Sequence, residues 1–386
     1  MARTPENAPS AESGVVSSGA ISSTIVGLLP FVIGIVLALI LFYVFPLVVP
    51  GRAGQFYSRI VTDIGIAIIM AVSLNIVNGM TGQFSIGHAG FMTLGAYTSA
   101  FITYYGSMYL WGSTAIHAGF PGSGAGLFVI SCSVGGLFAA AAGYVVGLPS
   151  LRLRGDYLAI VTLGFGEIIR VILQQTGRVI DSTATLKTGG LAQMIPPPVG
   201  GALGFDGVPK YTNLFWVYSM LTVTLVVAYR LKSSSVGRAM ISIREDEIAA
   251  QAMGVNIARQ KVLAFVIAAF FAGTAGSLFA HEPGVIISPK DAGFQRSFDY
   301  VIMTVLGGRG SITGVMLAAG LLTALPEFLR DFEQYRLIVY ALLLIVMMLV
   351  RPQGLMGIHE IWDLWPRRRA SSSSTLGAGS SQETPR

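Results

Sequence analysis

The sequence predicts an all-α, polytopic integral membrane bundle of about ten transmembrane segments, with eight to ten as the range. Composition is the first observation behind this: 53% of the 386 residues are hydrophobic and only 11% are charged, against roughly 25% charged in soluble domains. The second is a series of apolar runs near the roughly 20 residues that span a bilayer core. The third is one stretch, residues 233–260, that is far too charged to cross and divides the runs into two blocks. A single cysteine, Cys132, lies in an apolar run, so a disulfide framework or a cysteine metal site is excluded. The four histidines, His88, His117, His281 and His359, lack ligand spacing. The net charge of +6 comes from basic residues flanking hydrophobic spans rather than from a nucleic-acid-binding face.

Residues 1–23 are rich in Ser, Ala, Gly and Pro and read as a disordered tail. Ile25–Val49 is the first span, too long for a signal-peptide core, with Pro30 and Pro46 near its ends where a missing N–H is least harmful. Ile60–Asn78 is the second, broken at Gly79-Met80-Thr81-Gly82-Gln83, and the third runs from Ser85 to Tyr105. Leu127–Leu148, Tyr157–Gln175 and Asn213–Leu231 follow as the fourth to sixth, with an extramembranous segment, Thr176–Tyr211, before the last of these. Beyond the charged stretch come Val262–Ala280, a short piece at Ser297–Leu306, then Ile312–Leu329 and Leu337–Val350. The piece before Gly307 is short for a crossing and is expected to be a half-helix shielded inside the protein. Residues 351–386 form a second, mostly disordered tail. The units are therefore 1–23, a first membrane block at 24–232, a coupling loop at 233–260, a second block at 261–350, and the tail. Most of the 25 Lys and Arg fall on the side holding both tails, the Arg152 loop and the charged stretch. The positive-inside rule makes that side, and both termini, cytoplasmic.

The charged stretch carries Arg238, Arg244 and Arg259 against Glu245, Asp246 and Glu247. Its Ala-rich centre favours helix, and Gly254 stands where a left-handed residue would end one. Two short helices outside the membrane are expected. Glu247-x-Ala249-Ala250-x3-Gly254 resembles the E-A-A-x3-G loop of ABC-importer permeases. The surrounding Gly237-Arg238-Ala239, Ile243-Arg244-Glu245-Asp246-Glu247 and Gly254-Val255-Asn256 resemble the LivM-type branched-chain amino acid permease family. That resemblance implies that Arg238, Arg244, Glu245, Asp246, Glu247, Ala249, Ala250 and Gly254 belong to a platform that docks on a separate ATPase.

Other clusters carry the same resemblance. Thr81-Gly82-Gln83-Phe84-Ser85-Ile86-Gly87-His88-Ala89-Gly90-Phe91 looks like the family signature at the break between the second and third spans. Its glycines permit a tight turn, and Ser85 is placed to cap the next helix. A helix N-terminus within the membrane attracts an anionic group such as a carboxylate. Gln83, Ser85 and His88 are thus either a capped helix start with local hydrogen bonds or part of a substrate path. Leu151 to Ala159 and Thr162 to Arg170 also match, placing Glu167 and Arg170 inside the fifth span. A lone charge there costs about 2.5 to 3.5 kcal/mol on insertion scales, so Glu167 needs a partner, and Arg170, three residues on, is the obvious one. The two form a neutralised structural pair or line the pore. Gly307, Gly308 and Gly310 mark a structural turn that resembles the family, as do Pro326-Glu327 and Arg351-Pro352-Gln353-Gly354. Two departures stand out: the outer loop continues Leu191 to Ile195 after Thr188-Gly189-Gly190, and Val315 replaces a usual proline.

The turn at Gly307 lacks the spacing of a dinucleotide fingerprint, and the chain contains no Walker A sequence. No cofactor is therefore expected on this chain, with ATP and Mg on partner subunits. The resemblance implies two ATPases, a second related permease and an external substrate-binding protein in a bacterial cytoplasmic membrane. Urea or short amides are the nearest competing substrates. A stand-alone ion-coupled carrier or channel is the reading from another class, and it leaves the charged platform without a purpose. Paired carboxylates, metal-ligand spacing and a nucleophile with its base are absent, which argues against an intramembrane enzyme.

Overall fold

The computed structural model describes residues 17–117, 122–150, 155–181 and 196–329, and beyond them residues 335, 338, 341–342, 345–346, 349–350, 354–357 and 360. Half of the expected last span, Leu337–Val350, and all of the Arg152 loop fall outside these residues. The described chain is helical, with one isolated antiparallel bridge between Phe205 and Ile287. Its helices are α1 (Ser17–Val48), α2 (Gly51–Asn75), α3 (His88–Trp111), α4 (Ser123–Ser150) and α5 (Asp156–Gln174). They continue with α6 (Leu214–Ser233), α7 (Ser235–Glu245), α8 (Glu247–Ala252), α9 (Ile257–Ala280), α10 (Phe294–Gly307) and α11 (Ile312–Phe328).

Six stretches among the described residues are long and apolar enough to cross a membrane: Leu29–Val48, Gly54–Met80, Ser123–Pro149, Tyr157–Gln174, Leu214–Ser233 and Ile257–Ala280. The helix α3 has the length, at 24 residues, but it carries the buried polar residues His88, Thr93, Ser99, Thr103 and Ser107. At 14 residues, α10 extends only about 21 Å, short of a bilayer core of about 30 Å, as a half-helix would. The first helix begins at Ser17, inside the segment expected to be a tail.

Two long helices form the centre. The first, α2, packs on α6, α9, α10 and α11, and the second, α9, packs on α3 and α4. Both are buried along most of their length, whereas α1 packs mainly on α6 and leaves Leu37, Leu47 and Val48 exposed. Close approach of α3, α4 and α9 depends on glycine. A Cβ on Gly95 would lie 2.4 Å from the Gly273 Cα, and one on Gly273 would lie 3.1 Å from the Gly136 Cα. Small residues draw membrane helices together because lipid supplies no hydrophobic drive between them.

On the side where α9 ends, the connections fasten to one another. The Phe205 N–H donates to the Ile287 carbonyl at 2.8 Å, and Lys210 Nζ donates to the Val285 carbonyl at 2.6 Å. At the opposite end, α7 and α8 form the expected pair of short helices. Ser234 Oγ caps α7 by accepting from Gly237 N, and Asp246 Oδ1 caps α8 by accepting from Ile248 N and Ala249 N. Gly254 has φ +83°, and Val255 N reaches back to the Ala250 carbonyl at 3.1 Å, which closes α8 as its sequence predicts.

Candidate functional site

At its C-terminal end α2 runs into a π-helical turn, Ile76–Met80. The chain then runs without regular structure over residues 81–87. His88 Nε2 lies 2.8 Å from the Ser73 hydroxyl of α2, seven residues before Met80. At about 1.5 Å per residue, the segment climbs back about 10 Å along α2 before α3 begins. The start of α3 therefore lies inside the bundle, where Ala89 N donates to Ser297 Oγ of α10 and a Cβ on Gly87 would strike the Thr162 carbonyl of α5.

Ser85 does not cap this helix. The residue flanking α3 is Gly87, without a side-chain cap, and the third helix starts at His88 rather than at Ser85. Ser85 N instead donates to Asn78 Oδ1 at 3.2 Å, which holds the segment against the π turn two residues too early to cap. Three buried atoms here have no hydrogen-bond partner among the described residues: Asn78 Nδ2, Gln83 Oε1 and Ser85 Oγ. Such groups are matched in folded proteins by water or a bound molecule.

On α5, Arg170 Nε donates to Glu167 Oε2, as the spacing predicts, and each side chain is 34% exposed. The pair is thus about two-thirds covered.

Below the break lies a junction that the sequence reading did not identify. Asn75 Oδ1 accepts from Gly310 N at 3.0 Å, and its Nδ2 donates to the Ser311 carbonyl. Lys232, at the end of α6, donates to the Gly310 carbonyl at 2.7 Å and pairs with Glu360. Glu360 also accepts from Ile312 N, Thr313 N and the Thr313 hydroxyl, so it caps α11 from outside the helix. Burial alone would raise the Glu360 pKa, but Lys232 and these donors hold it below the usual value. Gly308 and Gly310 have φ of +105° and +89°, and Gly307 packs so tightly on α11 that a Cβ would lie 2.3 Å from the Val315 Cα. Glu360 lies in the stretch read as tail, where nothing in the neighbouring residues points to a distant partner. A polar Asn75 within Ile64–Val77 was the available clue.

The platform residues divide by direction. Glu247 pairs with Lys261 of α9 at 2.8 Å, Ala250 is buried, and Asp246 caps α8. Arg244 turns inward, with its side chain 19% exposed. Glu245 remains outside at 67%, together with Ile248 at 72% and Met253 at 85%. Gly237 packs against the Leu231 carbonyl, and Arg238 donates to the Ser233 carbonyl. A cleft of about 360 Å³ opens between Ser242, Glu245, Asp246, Ala249, Ala250, Met253 and Val255. The two exposed apolar residues were not singled out from sequence.

At the far end, Glu282 is 1% exposed, and among the described residues neither of its carboxylate oxygens has a hydrogen-bond donor. Burial and the charge of Asp63 push its pKa up to about 8, against the opposing pull of Arg59 and Arg296. A carboxyl whose folded-state pKa is raised binds a proton more readily folded than unfolded. Its stabilisation is complete below about 4.5 and is lost as pH rises towards 8. Glu282→Gln should therefore raise the thermal midpoint of the detergent-solubilised protein at pH 8.5 and change it little at pH 4.5. Parallel midpoints for parent and variant across that range would refute this. Among the described residues, no group of three or more His, Cys, Asp or Glu could hold a metal ion.

The family described as the permease component of branched-chain amino acid transport systems matches residues 56–350. The chain belongs to that family. This permease is 38% identical over 312 residues to the high-affinity branched-chain amino acid transport permease LivM of Escherichia coli (strain K12), covering 75% of this chain and 68% of that protein. The probable LivM of Methanocaldococcus jannaschii is 24% identical over 307 residues, covering 74% and 84%. The E. coli permease LivH is 35% identical over 154 residues, covering 38% of this chain and 48% of LivH. No solved structure matches the permease. It is a multi-pass membrane protein of a transporter family rather than an enzyme.

Proposed function

We propose that this permease is one membrane subunit of an ATP-driven importer for branched-chain amino acids. The observation that carries the reading is the platform: two capped helices outside the long apolar stretches, with Ile248, Met253 and Glu245 turned outward around a cleft. Exposed apolar side chains rimmed by charge mark a protein-docking surface. The occupants are two cytoplasmic ATPases, which carry ATP and Mg. The LivM and LivH likenesses support a second, related permease, with an external binding protein delivering substrate. α3, the half-helix α10, α11 and the Leu337–Val350 run, added to the six long stretches, give the ten-segment arrangement with both termini in the cytoplasm of a bacterial inner membrane.

Glu167 and Arg170 face the translocation path or the second permease, since a charge pair one-third exposed within a span is poorly accommodated by lipid. Gln83, Ser85 and His88 lie at the inner wall of that path, beside the unmatched polar atoms of the break. ATPase closure moves the platform and shifts the bundle between inward- and outward-open packings.

Ile248→Asp with Met253→Asp should abolish co-purification of the ATPases and reduce leucine uptake at least about tenfold, with membrane abundance unchanged. Normal recovery of ATPase with the double variant would refute the docking face. ATP-independent uptake by the parent chain alone would favour a stand-alone carrier, and transport of urea in preference to leucine would reassign the substrate.

A further inference from the structure

The side chain of Arg244 ties the platform to the π turn that ends α2. Arg244, near the end of α7, donates from Nη1 to the Gly79 carbonyl at 2.8 Å, inside the π turn. The same guanidinium donates to Glu245 Oε1 from Nε at 3.0 Å and from Nη2 at 2.6 Å. Three donors of one planar group thus join a platform carboxylate to a backbone carbonyl of the break. The fit is enforced from both sides. A Cβ on Gly82 would lie 2.9 Å from Arg244 Cγ, and one on Gly310 would lie 2.7 Å from Arg244 Nη1. Both glycines also have positive φ, +70° and +89°, so their positions favour glycine twice over.

The carbonyl that Arg244 holds sits where displacement matters. A π turn is a weak point in a helix ladder. Gly79 is followed at once by the segment that climbs to His88, and Asn78 ties that segment through Ser85 N. On its other flank, Gly310 is fixed by Asn75 and Lys232. Moving α7 while α11 stays anchored must therefore pull on Gly79 and load the 81–87 segment.

We propose that Arg244 is the transmission residue of this permease: a positioning residue that carries platform movement to the break between the second and third helices and so sets how much uptake each ATP yields. The proposal rests on the ATPase-docking reading and assigns Arg244 inward, separate from the outward face at Ile248 and Met253.

The test uses the complete importer in proteoliposomes, with leucine uptake and ATP hydrolysis measured in parallel. Arg244→Gln should keep the ATPases bound but lower uptake per ATP at least about fivefold. Arg244→Lys retains the charge and one donor for Gly79, and should lower the ratio about twofold to threefold. Arg309→Gln removes an exposed charge from the neighbouring turn and should leave the ratio unaltered. A parent-like ratio in Arg244→Gln overturns the proposal, as does loss of the ATPases from that variant, which would make Arg244 a docking residue. Should Arg244→Gln not accumulate, Arg244→Lys decides: a lowered ratio supports transmission, and a parent-like ratio overturns it. Failure of the parent chain to recruit any ATPase would instead overturn the docking reading, and this proposal with it.

Discussion

Gly276→Val should prevent this permease from accumulating in the membrane. A Cβ at Gly276 would lie 1.9 Å from the Met92 carbonyl and 2.7 Å from its carbon, both backbone atoms of α3. Replacing an interior helical glycine ordinarily gains up to about 1 kcal/mol in helix propensity. Here the steric term wins, because overpacking costs about 1 to 3 kcal/mol even where side chains can yield, and backbone yields less. α9 would have to move from α3, and the same movement would open the contacts at Gly95, Gly135 and Gly273. Membrane abundance and monodispersity on gel filtration measure the effect. Gly126→Val, at a glycine with open space around its Cβ, is the control that should accumulate. Equal yields from both variants would show that α3 and α9 do not cross this closely.

Glu360→Ala should lower stability by about 3 kcal/mol or more. It leaves the Lys232 ammonium without its carboxylate, which for a buried pair costs about 3 to 5 kcal/mol. It also removes the acceptor for two α11 backbone donors and one hydroxyl. Because the Lys232 side chain is 23% exposed, solvent screens part of the loss and the lower end of that range applies. Glu360→Gln keeps the size and one acceptor oxygen and should fall between parent and alanine. Lys232→Met combined with Glu360→Gln should recover part of the loss by removing the stranded charge. Thermal midpoints of the solubilised protein, read at one scan rate, rank the variants. If Glu360→Ala matched the parent, the contacts of Glu360 with Lys232 and the start of α11 would be incidental.

The segments that were legible in the sequence are those with a local cause. Apolar runs of sufficient length became α1, α2, α4, α5, α6 and α9, because satisfying the backbone in lipid leaves helix as the only local solution. The platform was equally readable: a serine, an aspartate and a glycine at fixed offsets set its helix ends, through side-chain caps and a left-handed residue. The short α10 and the Glu167–Arg170 pair followed from length and from three-residue spacing.

Other features needed the third dimension. Ser85 has the chemistry of a cap, but its backbone N–H is held by Asn78, so the helix waits until His88. Glu247 carries the family motif on an outward-looking loop, yet it pairs with Lys261, fourteen residues away, on a neighbouring helix. Glu360 and Asn75 meet the Gly310 turn across sequence separations that no periodicity encodes. The sequence by itself determined which segments are long apolar helices and which stretch is too charged to be one, because hydropathy and capping act within a few residues. Only the tertiary structure decided which polar side chains look inward, since that depends on which donors and acceptors from distant segments fold into reach of one another.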